Sequence, residues 1–135
     1  MPIYKVAVLG SGVMGSTIAA HLANAGIPSL LLDIVPNSLL PEEEAAGLTL
    51  ESPKVRNRIA ATNKQKLLKM NPAPLFVPEF ADRIEVGNFE DDLPRLKEVD
   101  WVIEVVVERL DIKKDLLKKV AQNVRPGTLV TSNTS

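Results

Sequence analysis

Apolar residues fall into two alternating patterns along the chain. Short segments rich in apolar residues at 4–9, 29–33, 83–86, 100–107 and 128–131 predict strands, and the continuous apolar run in 29–33 is typical of a parallel sheet covered on both faces. The segments between these runs repeat apolar residues every three or four positions, which predicts helices. Strands and helices in this alternation indicate an α/β fold with a doubly wound parallel sheet in the order 3-2-1-4-5.

The first predicted helix follows the first strand directly. It carries Met14, Ile18, Leu22 and Ala25 on one face, which we expect to pack against the sheet. Later helices are predicted over 55–70, 90–97 and 111–124.

The connection between the second and third predicted strands is longer than one crossover needs. Residues 36–80 hold polar turns, a helix and an acidic run at 42–44 that we expect to be a solvated face. We interpret this segment as a helical insert within one domain spanning residues 1–135.

A glycine-rich turn joins the first strand to the first helix. Gly10 permits a tight turn, Gly12 leaves the backbone open to a pyrophosphate, and Gly15 lets the helix approach the strand. The first N–H groups of a helix lack partners within it, so they attract an anion together with the helix dipole. Glycine turns also join strands to helices without binding a ligand. The strand before and the helix after favour a dinucleotide site in a Rossmann-type fold.

Asp33 ends the second predicted strand. It follows the glycine turn at about the 20-residue spacing at which an acidic residue binds the adenosine ribose. Residues 34–36 contain no arginine that could meet a 2′-phosphate, so NAD is favoured over NADP. The alternative is that Asp33 only begins the turn before Pro36.

The helix predicted over 55–70 is rich in lysine and arginine. One interpretation is an ordinary solvated helix surface. The other is that Lys64 and Lys66 contact the polyphosphate of a second ligand. The sequence leaves both open.

Composition narrows the classes of function. The formal net charge of −1 gives no basic field of the kind that binds nucleic acid. The chain has no cysteine, which excludes disulfides and thiolate metal sites, and we expect no metal. The apolar runs are too short to cross a bilayer and no signal peptide is visible. We therefore expect a soluble, cytoplasmic protein.

Polar residues recur where the predicted strands end. Because the carboxyl ends of parallel strands share one edge, these residues should meet at the ligand crevice of the sheet. They are Gly10, Asp33, Asn88, Glu108, Asn133 and Ser135.

Four motifs spread along the chain occur together. They are Gly10-Ser11-Gly12-Val13-Met14-Gly15, Leu32-Asp33, Ile103-Glu104-Val105-Val106-Val107-Glu108 followed by Lys113, and Ser132-Asn133-Thr134-Ser135. With these motifs the chain resembles the NAD-binding domain of 3-hydroxyacyl-CoA dehydrogenases, the β-oxidation enzymes. It is most similar to the large bacterial members that join this domain to an enoyl-CoA hydratase-like region.

The resemblance implies oxidation of (3S)-3-hydroxyacyl-CoA to 3-oxoacyl-CoA by hydride transfer to NAD. The cofactor-binding residues that it implies are Gly10, Gly12, Val13, Met14, Gly15, Asp33, Val106, Val107, Glu108, Lys113 and Asn133. Ser135 would hydrogen-bond the substrate hydroxyl, and Lys64 and Lys66 are candidates for contact with CoA phosphates. A solvated lysine remains the alternative for Lys113, and an unstructured terminus the alternative for Ser135.

The chain departs from the family in lacking a general base. Family members use a histidine that lies beyond the Ser132–Ser135 motif, whereas the only histidine here is His21, inside the first helix. We therefore interpret the chain as part of a longer enzyme, expected to be a homo-oligomer. The alternatives are an NAD(P) domain of the β-hydroxyacid dehydrogenase type and a nucleotide-binding module without catalysis.

Overall fold

The structure is a computed structural model of the chain that describes residues 3–70, 75, 77–105 and 110–132. Within these residues, five strands form one parallel sheet in the order β3-β2-β1-β4-β5, which confirms the predicted order and fold class. The strands are β1 Val6–Leu9, β2 Ser29–Asp33, β3 Ile84–Asn88, β4 Trp101–Glu104 and β5 Leu129–Ser132.

Five α-helices accompany the sheet in the described part of the chain. They are α1 Val13–Asn24, α2 Pro41–Ala45, α3 Pro53–Arg56, α4 Arg58–Lys69 and α5 Leu110–Asn123. Pro78–Arg83 and Leu93–Glu98 form 3₁₀ helices, so the short helix expected over 90–97 is a 3₁₀ helix that begins at Leu93. Proline in the first turn of each segment fixes φ at its start but adds no N–H to the ladder.

Apolar side chains cover both faces of the sheet. Val6 and Val8 point into a cluster with the alanines of α1 and Leu67 of α4. Ala7 and Leu9 point into a second cluster with apolar residues of α5. Burial on both faces explains the continuous apolar runs of β1 and β2, whereas Leu129 and Val130 of the edge strand β5 are 50% and 40% exposed.

The face of α1 that packs on the sheet matches the predicted one only in part, because Ile18 and Leu22 are partly buried against the core. Its buried residues are Gly15, Ser16, Ala19, Ala20 and Ala23, whereas Met14 is 50% exposed. Small side chains let the helix axis lie close to the strands, and the larger ones are displaced toward the rim. Size, rather than hydrophobicity alone, decided which face packs.

The insert also differs from the expectation in two places. The helix predicted over 55–70 is broken at Asn57, so that α3 and α4 are separate helices. The acidic run is not a uniformly solvated face, because Glu43 is only 8% exposed. Its carboxylate pairs with Arg58 and accepts the backbone N–H of Leu40, which attaches α2 to the start of α4.

Candidate cofactor site

The turn between β1 and α1 needs glycine at two positions. Gly10 has a φ of 109°, a conformation that L side chains rarely adopt. A Cβ at Gly15 would clash with the carbonyl group of Gly10, so a side chain there would push α1 away from the turn. At Gly12 a Cβ would meet no atom within 4 Å, so the space beside this residue is open to a ligand.

The N-terminus of α1 suits an anion. Gly12 is its N-cap residue, and among the described residues no side chain caps this end or places an acid in the first turn. The first turn of α1 therefore places no acidic side chain of its own at the positive end of the helix dipole, which is favourable for a phosphate.

Asp33 lies beside this turn and is held by backbone and side-chain donors. Its Oδ2 accepts the Ser11 N–H at 2.8 Å and the Ser11 hydroxyl at 2.5 Å, while Oδ1 accepts the N–H of Ile34 at 2.7 Å. These bonds orient the carboxylate at the carboxyl end of β2. A carboxylate can accept about four hydrogen bonds, so Oδ1 keeps capacity for a further donor.

The insert helix α4 reaches the same turn through Asn63. Its Nδ2 donates to the Ser11 hydroxyl at 2.8 Å, across 52 positions of sequence. No pattern in the sequence signals this contact. A groove of about 330 Å³ lies between α1 and α4, lined by Ser11, Gly12, Val13, Ser16, Asn63, Lys66, Leu67 and Met70.

The two candidate lysines of α4 lie in different surroundings. Lys66 lines the groove beside the glycine turn. The Nζ of Lys64 instead donates to the carbonyl of Ile84 at 2.7 Å, at the amino end of β3. Lys64 lines a cavity of about 500 Å³ at that opposite edge of the sheet, so the structure does not bring the two ammonium groups together.

A buried ion pair lies at the carboxyl end of β4. Glu104 has no exposed surface, its Oε1 accepts the Ser132 hydroxyl at 2.7 Å, and the Nζ of Lys113 lies 3.2 Å away. A buried carboxylate is tolerated only with such partners. The Lys113 side chain is 13% exposed, which excludes a solvated surface lysine. The sequence signal that could have predicted this pair is a glutamate within a strand of β-branched residues.

Asn88, the polar end of β3, has a structural role. Its Nδ2 donates to Asn57 and Asp91, and its Oδ1 accepts the N–H groups of Glu90 and Asp91. All the hydrogen-bonding groups of this 1% exposed amide are therefore used in joining β3 to the insert and to the following turn.

Five predicted site residues lie in parts of the chain that the structure does not describe. Val106, Val107, Glu108, Asn133 and Ser135 lie outside the described residues, so their roles stay predictions. His21 is exposed in the last turn of α1, about 12 Å along the helix axis from the glycine turn. Within the described ranges no helix is long and apolar enough to span a membrane.

Comparison with known proteins identifies the family. A family model described as 3-hydroxyacyl-CoA dehydrogenase, NAD binding domain, matches residues 5–135. The chain belongs to this family. The match extends over the glycine turn, Asp33 and the Glu104–Lys113 pair alike.

Individual relatives agree with this membership. "Probable 3-hydroxyacyl-CoA dehydrogenase" of Bacillus subtilis is 57% identical over 133 residues, which are 98% of this chain and 17% of that protein. "Fatty acid oxidation complex subunit alpha" of Acinetobacter baumannii is 33% identical over 135 residues, 99% of this chain and 16% of that protein. The chain thus spans about a sixth of the length of these two relatives.

A solved structure shows the same fold. The 3-hydroxybutyryl-CoA dehydrogenase of Escherichia coli is 29% identical and superposes with a TM-score of 0.65, covering 100% of this chain and 25% of that one.

Proposed function

We propose that this chain is the NAD-binding part of a longer enzyme that oxidises (3S)-3-hydroxyacyl-CoA to 3-oxoacyl-CoA. The observation that carries the proposal is the oriented Asp33 carboxylate beside an uncapped α1 terminus. The carboxylate suits ribose hydroxyls and the helix terminus beside it suits a pyrophosphate, which are neighbouring parts of a dinucleotide.

The residues divide into two halves of the cofactor site. Gly10, Gly12, Val13, Met14 and Gly15 would lie along the pyrophosphate, with Asp33 on the adenosine ribose. The nicotinamide half would be lined by Val106, Val107, Glu108, Lys113 and Asn133. When bound, NAD accepts the hydride that leaves C3 of the substrate.

The substrate would meet this edge of the sheet from two directions. Ser135 would hydrogen-bond the 3-hydroxyl beside the nicotinamide. Lys66, which lines the groove between α1 and α4, is better placed than Lys64 to contact a CoA phosphate. The hydroxyl proton must pass to a base, and we assign that base to a part of the enzyme outside this chain. A homo-oligomeric, cytoplasmic enzyme remains our expectation.

The cofactor assignment is tested at Asp33. Calorimetric titration should give NAD at least a tenfold higher affinity than NADP, or about 1.4 kcal/mol, because a 2′-phosphate would face the Asp33 carboxylate. Asp33→Ala should weaken NAD binding and narrow the preference. Equal affinities of the unmodified protein for both cofactors would exclude ribose recognition by Asp33.

A further inference from the structure

We propose that Asn63 of the insert helix is a positioning residue for the cofactor, acting through Ser11 on Asp33. The inference rests on the proposed function, in which Asp33 binds the ribose. Three side chains from three elements form one hydrogen-bonded series: the Asn63 amide donates to the Ser11 hydroxyl, which donates to the Asp33 carboxylate.

The series has a fixed direction. A serine hydroxyl has a single proton, and the Nδ2 of an asparagine can only donate. With Nδ2 of Asn63 donating to Oγ, the Ser11 proton is left to point at Asp33 Oδ2, at 2.5 Å. Ser11 has no exposed surface, so water does not compete for this hydroxyl.

The direction determines which oxygen of Asp33 is free for the cofactor. Oδ2 receives both the N–H and the O–H of Ser11, whereas Oδ1 receives only the N–H of Ile34. The ribose would therefore be bound through Oδ1. Without the Asn63 donor the Ser11 oxygen is held from one side only, and the carboxylate loses part of the restraint that sets its plane.

The experiment is a double-mutant cycle on NAD affinity with Ser11→Ala, Asn63→Ala and both together. Asn63→Ala should weaken NAD binding about 3- to 10-fold, the size of one neutral hydrogen bond. NADP binding should change less, because a phosphate does not donate to Asp33. In the Ser11→Ala background, Asn63→Ala should have less than about a twofold further effect, since the path to Asp33 is already cut.

Two further variants complete the design. Gln65→Ala, an exposed position on the same helix, is the matched control and should leave both affinities unchanged. Asn63→Asp puts an acceptor beside Ser11 that competes with Asp33 for the hydroxyl proton, so it should weaken NAD binding more than Asn63→Ala. Urea unfolding of each variant separates lost affinity from lost folding.

The outcomes separate the two levels of inference. If Asp33→Ala weakens NAD binding but Asn63→Ala and Asn63→Asp do not, the positioning role is wrong and the proposed function stands. If the effect of Asn63→Ala persists in full in the Ser11→Ala background, Asn63 acts by another route and the proposal is overturned. If Asp33→Ala itself has no effect, the ribose assignment fails first.

Discussion

The two halves of the sheet build the same edge by different means. At β1 and β2 the edge is made of close backbone packing at the glycine turn and of Asp33, which is partly exposed and oriented by N–H and O–H donors. At β4 and β5 it is made of Glu104, which is fully buried and paired with Lys113.

The difference distinguishes Asp33, which recognises the ribose in the proposed function, from Glu104, which holds the structure. Asp33 keeps an acceptor direction for a ligand, whereas Glu104 has no exposed surface through which a cofactor could touch it. Glu104 therefore orients Lys113 and joins β4 to β5 through Ser132.

The largest expected effect concerns the catalytic base, which we assign to a part of the enzyme outside this chain. The 135-residue chain should bind NADH but show no measurable NADH oxidation with acetoacetyl-CoA, because a positioned acid or base contributes about 10²–10⁴-fold and His21 lies far from the edge. A spectrophotometric assay at high protein concentration, beside the protein at the full length of its relatives, measures this. Turnover by the chain within tenfold of the longer protein would require a catalytic base among these residues.

The second effect compares how much the Glu104–Lys113 pair and Asp33 each contribute to stability. Glu104→Leu should lower the free energy of unfolding by about 3 kcal/mol, because it removes the Glu104 carboxylate from a largely buried Lys113 ammonium. Adding Lys113→Met should restore much of the loss, and Asp33→Ala should lower stability less than Glu104→Leu. Urea denaturation measures all of these, and additive losses in the double variant would show that the pair is not coupled.

Most of the fold was predictable because the signals are local. Short segments rich in apolar and β-branched residues predicted the five strands, and their alternation with helices led to the strand order. The packing face of α1 and the break at Asn57 were not predictable, because both depend on how closely two elements approach. The choice of Ser16 and Ala19 over Met14 is a matter of available space, which no periodicity reports.

The site was predictable where one short motif supplies it and not where distant residues complete it. Gly10, Gly15 and Asp33 lie at one edge as expected. The contact of Asn63 with Ser11 joins residues far apart in sequence, and the separation of Lys64 from Lys66 depends on where α4 crosses the sheet.

A smaller effect is expected at Lys66, which lines the groove between α1 and α4. In the protein at its relatives' length, Lys66→Ala should weaken acyl-CoA binding several-fold while leaving NAD affinity unchanged, and the loss should shrink at high salt. Lys64→Ala is the matched comparison and should change acyl-CoA affinity less, because its ammonium already bonds Ile84. If both variants weaken acyl-CoA binding equally, α4 acts only as a generally basic surface and Lys66 makes no specific contact.

The smallest effect compares one surface carboxylate from each half under acid. Arg56, then Asn88, lower the pKa of Asp91, which joins β3 to the insert. The backbone N–H of Tyr4, with Arg125, lowers the pKa of Asp100, which precedes β4. Each carboxylate therefore stabilises the folded state above its ordinary pKa of 3.8, and this contribution is lost as the pH falls through the lower folded value.

Substitution of each carboxylate should show which half is more acid-sensitive. Asp100 is 16% exposed and accepts two backbone N–H groups as well as Arg125, whereas Asp91 is 49% exposed. Exposure to solvent screens an ion pair. We therefore expect the fall in stability between pH 5 and pH 2 to be reduced more by Asp100→Asn than by Asp91→Asn. Thermal melts across this range measure the difference. A larger effect at Asp91 would mean that the anchor of the insert, rather than the start of β4, governs acid unfolding.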